Sequence, residues 1–119
     1  MDDRITVKEC KEAVKKFCED RDWSQFHNPK DLAIGISTEA NELLDLFRFK
    51  SEEQMQRMME SPEKRKKIEE ELADTFFFIL RFAQMNGMDL SDALKSKLDA
   101  NEEKYPKDEF RGSNLKYNE

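Results

Sequence analysis

Two carboxylates, Glu71 and Asp74, lie at the boundary between an acidic run and a strongly apolar block. Residues 69–80 contain neither proline nor glycine, so we predict one helix, on which positions three apart share a face. The block is apolar on nearly every side, which is typical of a buried helix. Burying carboxylates is costly unless their charge is compensated. Because no Lys or Arg follows Asp74 within one turn, we do not expect the helix to compensate it, and we interpret the pair as half of a metal site.

A second carboxylate pair, Glu39 and Glu42, lies on the preceding long helix and is the candidate for the other half. Glu39 occupies a position at which the apolar stripe of that helix should have a hydrophobic residue. Four carboxylates that converge from two helices repel one another unless hard divalent cations bridge them. Magnesium suits these donors, because it prefers oxygen ligands and keeps positions for water and substrate phosphates. Such pairs also arise by chance on solvated faces of a chain that is 40% charged, so spacing alone leaves both interpretations open.

Four long helices are predicted to position these residues, with one short helix between the second and the third. The expected bounds are 7–20, 29–47, 62–86 and about 90–105, the short helix follows Ser51, and either Asp89 or Ser91 caps the fourth long helix. Three Gly and three Pro provide little turn material, which favours a few long helices over many short strands. In the fourth helix, Ala93, Leu94, Leu98 and Asn101 are expected to face inward. We expect one domain over residues 1–119, with a polar tail at 107–119.

The charge, the cysteine spacing and the hydropathy of the chain limit its partners, its disulfides and its location. A net charge of −6 argues against binding to a nucleic-acid polymer, which requires a basic surface. Cys10 and Cys18 are eight residues apart on one predicted helix, hence about 12 Å, which is too far for a disulfide. The sequence shows no signal peptide and no apolar run of membrane length, so we expect a cytoplasmic protein with two free thiols.

An aromatic connector between the first two long helices contains Trp23, Phe26 and His27. Such residues usually anchor a core or a loop. Beside a metal site that handles phosphates, however, they also suit the stacking of a nucleobase, and Phe49 could join them. We interpret His27 as a hydrogen-bonding or packing residue and not as a catalytic base.

The fourth helix carries polar residues at helical spacing, namely Lys97, Asn101, Lys104 and Tyr105. Their spacing alone favours a solvated face that ends where the helix stops. The alternative is a set of hydrogen-bond donors for phosphate oxygens that no metal covers.

Taken in order, these features resemble a known family. The relevant motifs are Arg21-Asp22-Trp23-x-Gln25-Phe26-His27, Glu39-x-x-Glu42, Glu71-x-x-Asp74, Lys97-Leu98-x-x-Asn101-x-x-Lys104-Tyr105-Pro106 and Ser113-x-x-Lys116-Tyr117. Together they resemble the MazG-like nucleotide pyrophosphohydrolases of the all-α NTP pyrophosphatase superfamily. The first and last motifs look like the branch that contains dCTP pyrophosphatases.

The resemblance implies a hydrolase for nucleotide-pool housekeeping that converts a nucleoside triphosphate, dCTP-like first, to the monophosphate and pyrophosphate. It implies that Glu39, Glu42, Glu71 and Asp74 hold magnesium. Glu39 is our choice for the catalytic carboxylate that also orients the attacking water, and Asp45 and Glu70 are the alternatives.

The resemblance also implies binding residues for the rest of the substrate. The implied phosphate contacts are Lys97, Asn101, Lys104, Tyr105 and Lys116, and the implied base pocket consists of Trp23, Phe26, His27, Phe49 and Phe78. Positions 49 and 78 depart from the branch, in which we expect Trp or Tyr. A missing indole N–H or hydroxyl removes a hydrogen bond that could select the base, so the pocket should be more tolerant.

The fold implied by the resemblance is an all-α, four-helix bundle that assembles into a homo-oligomer, a dimer or a dimer of dimers (homotetramer). The apolar block Phe76–Phe82 independently suggests more buried surface than one chain can cover. Two alternatives stay open. One is a pyrophosphatase for dUTP or a modified nucleotide, and the other is a non-catalytic acidic helical module that binds a basic partner and needs no divalent cation.

Overall fold

The computed structural model describes all 119 residues and contains helices but no strand, which confirms the all-α prediction. The six α-helices are α1 (Val7–Asp20), α2 (Pro29–Leu46), α3 (Glu52–Glu60), α4 (Pro62–Met85), α5 (Leu90–Lys104) and α6 (Lys107–Phe110), and a 3₁₀ turn spans Ser24–Phe26. The four predicted long helices and the short one after Ser51 are all present, within about two residues of their expected bounds. The additional helix α6 lies in the segment that was predicted to be a polar tail.

Side-chain caps explain where the helices begin. The N-cap residues Thr6, Asn28, Ser51 and Ser61 each accept a hydrogen bond from a backbone N–H in the first turn. Asp89, and not Ser91, does the same for α5. Such a bond satisfies one of the backbone N–H groups that have no partner within the helix. Pro29 and Pro62 occupy first helical positions, where the missing N–H costs nothing.

The chain divides into two compact units, Met1–Gly87 and Met88–Glu119. In the first unit α4 packs against α1, α2 and α3, so it is the central helix. The buried apolar residues come from all four helices, and they are Cys18, Leu32, Met58, Ile68, Leu80 and Ala83. The single domain over residues 1–119 stays a prediction.

The second unit contains α5 and α6, and no residue of α5 is buried. The prediction that Ala93, Leu94 and Leu98 face inward is therefore wrong for the single chain, in which Leu94 is 61% exposed and Leu98 is 55% exposed. The segment after α5 does fold, because the Tyr105 ring packs edge-on against Phe110 and Tyr117.

Cys10 and Cys18 are free thiols, as predicted. None of the helices combines the length and the apolar character that crossing a lipid bilayer requires.

Candidate active site

The site depends on the way in which α2 lies against α4. An added Cβ on Gly35 of α2 would lie 2.6 Å from Cδ1 of Phe78 on α4. One turn further along α2, Glu39 lies beside Glu71, which precedes Phe78 by two turns. Because later residues of α2 meet earlier residues of α4, the two helices are antiparallel.

This register brings three carboxylates together. One oxygen from each of Glu39, Glu42 and Glu71 lies within 4.8 Å of the others, and we call these three residues the carboxylate cluster. Glu71 is buried, Glu39 is half-buried and Glu42 is exposed. Glu42 also lines a surface cavity of about 720 Å³ along α2. The cluster is thus buried at one end and open at the other.

Asp74 is exposed and is not one of the three residues of the carboxylate cluster, but its charge acts on Glu39. Desolvation, the hydrogen bond and charge of Glu42, and the charges of Asp74 and Glu71 raise the pKa of Glu39 to about 6. All four predicted carboxylates therefore contribute to one negative electrostatic site.

A lysine partly compensates this charge, which corrects the prediction that the helix would not do so itself. Lys67 Nζ lies 3.1 Å from Glu71 Oε1, one turn before it on α4. The hydrogen bond to Glu71, followed by its charge, raises the pKa of Lys67. The prediction considered only the turn after Asp74, whereas a Lys and a Glu four residues apart also share a helix face.

Two oxygens of the cluster stay without a partner. Oε2 of Glu39 and Oε2 of Glu71 are buried and accept no hydrogen bond. Buried polar atoms without partners are rare and costly in folded proteins. Carboxylate oxygens are the donors that magnesium prefers, and the cluster contains neither His nor Cys. The residues present therefore fit a hard divalent cation.

The predicted base pocket is partly assembled. Edge-on contacts link His27 to Trp23, Trp23 to Phe17, Phe17 to Phe77, and Phe77 to Phe78, with ring centroids 5.3–6.5 Å apart. Trp23, His27 and Phe78 thus belong to one aromatic chain.

Phe26 and Phe49 make no ring contact with this chain. Phe26 is 62% exposed, and Phe49 is 91% exposed. Phe49 has φ 60°, and the Arg48 guanidinium lies 4.9 Å from its ring centroid. A bulky residue in this left-handed region is strained.

A buried arginine holds the connector to α4. Arg81 is 1% exposed, and its Nε–H donates to His27 Nδ1 at 3.0 Å. Its Nη2 donates to Ser24 Oγ at 2.9 Å. As predicted, His27 is a hydrogen-bonding residue. Glu71, Asp74, Phe78 and Arg81 are spaced to share one face of α4, and ten residues of helix span about 15 Å.

The predicted phosphate contacts all lie in the second unit. Lys97 is exposed, Asn101 is half-buried, and the Lys116 backbone N–H donates to Glu119. Lys104 Nζ lies 5.0 Å from the ring centroid of Tyr117, which also contacts Tyr105. Their role as phosphate contacts stays a prediction.

Three residues of the site were not predicted from the sequence, namely Gly35, Lys67 and Arg81. Each has a local signal: a glycine inside a helical pattern, a lysine four residues before a buried glutamate, and an arginine inside an apolar block. Only the lysine signal identifies its partner, Glu71, because the Phe78 partner of Gly35 and the His27 and Ser24 partners of Arg81 lie on other segments.

Comparison with known proteins decides the family. A family model described as MazG-like matches residues 34–119. The chain belongs to the MazG-like family. It is 34% identical over 112 residues to mouse dCTP pyrophosphatase 1 and 33% identical over 114 residues to the human protein. These matches cover 94% and 96% of the chain but only 66% and 67% of those relatives.

A solved structure of a pyrophosphatase from Archaeoglobus fulgidus is also similar, with a TM-score of 0.78 and 32% identity. The match covers 84% of this MazG-like chain and 92% of that one. The resemblance inferred from the sequence is thus confirmed.

The close approach at Gly35 gives a prediction about stability. Gly35→Ala would place a Cβ 2.6–2.9 Å from three ring atoms of Phe78, so the ring or α2 must shift. We expect a loss of about 1–3 kcal/mol in the free energy of unfolding, typical of overpacking. This loss should outweigh the gain of about 1 kcal/mol from the higher helix propensity of alanine. Urea denaturation would measure it.

Ser37→Ala, at an exposed position of the same helix, is the matched control and should not destabilise the protein. The double variant Gly35→Ala/Phe78→Leu should recover part of the loss. A Gly35→Ala variant more stable than wild type would contradict the close packing.

Proposed function

We propose that this protein is a magnesium-dependent nucleoside triphosphate pyrophosphohydrolase that converts a deoxynucleoside triphosphate, dCTP-like first, to the monophosphate and pyrophosphate. The observation that carries the proposal is the pair of buried, unpartnered oxygens of Glu39 and Glu71 within the carboxylate cluster. The names of the relatives, dCTP pyrophosphatase 1 and pyrophosphatase, support the reaction class. The cytoplasmic location stays a prediction from the sequence.

Glu39, Glu42, Glu71 and Asp74 are the proposed magnesium ligands. Magnesium bound there would neutralise the triphosphate, lower the pKa of a water and stabilise charge on the leaving pyrophosphate. Glu39 is the proposed carboxylate that orients the attacking water, because its free Oε2 can accept a hydrogen bond from it. Of the alternatives, Asp45 lies 3.9 Å from Arg48, and Glu70 is exposed.

The base pocket is proposed to select the nucleobase. Phe78 lies one turn from Asp74 on α4, so an aromatic surface begins about 6 Å along the helix from the carboxylates. Trp23 and His27 extend the same aromatic chain. Phenylalanine at 49 and 78 lacks polar atoms, so dUTP or a modified nucleotide is the alternative substrate. Lys97, Asn101, Lys104, Tyr105 and Lys116 are the proposed phosphate contacts.

We further propose that the four-helix bundle is completed by assembly into a dimer or a dimer of dimers. Ile34 and Leu44 of α2 are 53% and 66% exposed, and Leu72 and Phe76 of α4 are 51% and 44% exposed. Apolar side chains at helical spacing on two adjacent helices are typical of a surface that packs against another chain.

Sedimentation velocity would test this assembly. We expect the wild type to sediment as a dimer or tetramer and Leu72→Arg to shift it toward the monomer, because a charge would be buried without a partner. Lys64→Arg, on the exposed first turn of α4, keeps its charge and should not change the oligomeric state. A wild type that is monomeric at micromolar concentration would refute the assembly.

Product analysis over a panel of dNTPs and NTPs, with and without magnesium, tests the reaction itself. We expect monophosphate and pyrophosphate only when the metal is present, with dCTP among the fastest substrates. A diphosphate product would mean that another bond is cut. Absence of turnover on every nucleotide would favour the acidic interaction module instead.

Substitution of the carboxylates tests the site. Loss of a group that only orients a metal ligand typically lowers metal affinity or activity 10–100-fold, so loss of a ligand itself should cost at least as much. We therefore expect Glu71→Gln to lower kcat by about 100-fold or more. Glu39→Gln should do the same and should raise the melting temperature of the metal-free protein by relieving repulsion. Differential scanning fluorimetry should show that magnesium stabilises the wild type but neither variant.

Glu69→Gln is the matched control, because Glu69 is exposed on the same helix and pairs with Arg65. It should keep both activity and the magnesium response. The interaction-module hypothesis predicts instead that Glu→Gln at 39, 42 and 71 is tolerated and that magnesium has no effect.

A further inference from the structure

Arg81 is a buried cation without a carboxylate partner. Its guanidinium makes no ion pair, and its acceptors are three neutral groups: His27 Nδ1, Gln84 Oε1 at 2.6 Å and Ser24 Oγ. A buried charge is costly, and an apolar residue of similar volume is often as stable or more stable in its place. Stability alone therefore does not account for an arginine here.

The bond to His27 fixes the chemical state of its ring. All nitrogens of arginine donate and none accepts, so His27 Nδ1 must be the acceptor and carries no proton. A neutral imidazole with an unprotonated Nδ1 carries its hydrogen on Nε2. A protonated His27 would direct one N–H group at another. No protein group forms a hydrogen bond with Nε2, which stays available to a ligand.

The surroundings of His27 act in the same direction. Desolvation by burial, followed by the positive charge of Arg81, lowers the pKa of His27. The buried Cys18 thiol on α1 also interacts with the charge of Arg81. On the connector itself, the Trp23 ring contacts the imidazole edge-on, with the two ring centroids 6.5 Å apart.

We propose that Arg81 is a positioning residue of the base pocket that holds His27 as the Nε2–H tautomer, so that His27 donates a hydrogen bond to the nucleobase. The base edge that fits is one that presents an acceptor, either a carbonyl oxygen or an unprotonated ring nitrogen. An edge that presents an N–H group there is disfavoured. The contact with the base rests on the proposed function, whereas the tautomer does not.

Because His27 is the only histidine, ¹⁵N NMR of the imidazole reports on it without ambiguity. In the wild type at pH 7.5 we expect one protonated nitrogen, Nε2, and one unprotonated nitrogen, Nδ1. In Arg81→Met both the Nδ1–H and the Nε2–H tautomers should be populated, so the two nitrogen signals should average. The pKa of His27 should also rise toward its ordinary value, because the charge of Arg81, one of its two lowering causes, is removed. Gln84→Leu, which removes another bond to the same guanidinium, should keep the wild-type spectrum.

The kinetic test uses the nucleotide that the wild type hydrolyses fastest. Without Arg81 the tautomer of His27 is no longer fixed, and the neutral hydrogen bond from His27 to the base is lost. This loss should raise KM in Arg81→Met by about five- to tenfold, with kcat unchanged within about twofold. Gln84→Leu should leave both constants at their wild-type values. An unchanged KM in a folded Arg81→Met protein would overturn the role in base binding.

A wild-type spectrum with hydrogen on Nδ1, or with averaged tautomers, would overturn the proposal even if Arg81→Met does not fold. If no nucleotide is hydrolysed, the proposed function fails while the tautomer assignment is still decided by the spectrum.

Discussion

The antiparallel contact between α2 and α4 is the constraint on which the rest of the structure depends. A glycine at position 35 lets the Phe78 ring lie directly against the backbone of α2. Glu39, one turn along, is thereby placed beside Glu71. A shift of either helix by one residue would rotate these side chains by about 100° and separate them. The close packing of one ring thus determines the spacing of the carboxylates.

The carboxylate cluster is placed at the expense of stability. Two buried oxygens have no partner, and repulsion contributes to raising the pKa of Glu39 to about 6. Lys67 offsets part of this cost through its ion pair with Glu71. About 15 Å further along the same face of α4, the buried Arg81 has no acidic partner. Buried charges without an opposite charge beside them are expected where each has a ligand to bind or a group to orient.

Much of this arrangement could be predicted from the sequence, because it follows from local patterns. Capping residues such as Asn28 and Ser61 determine where helices begin, and Glu-x-x-Glu spacing determines which carboxylates share a face. The bond between Arg81 and His27 could not be predicted, since it joins residues 54 positions apart. Likewise, the exposure of Leu94 and Leu98 depends on what covers α5, and the periodicity of a helix does not contain that information. The polar composition of residues 107–119 did not predict α6 either. The Phe110 ring of this helix packs against Tyr105, a contact that composition does not show.

Phe49 illustrates how a single backbone angle bears on the evolution of this chain. A large ring at φ 60° that is 91% exposed contributes little burial, and such strain costs of the order of 1–3 kcal/mol. Because natural domains are stable by only about 5–15 kcal/mol, this is a substantial fraction of the whole. Glycine or asparagine would adopt the same angle more easily. Selection for stability alone would therefore remove the phenylalanine, and its frequency at this position among close relatives measures how strongly another requirement opposes that drift.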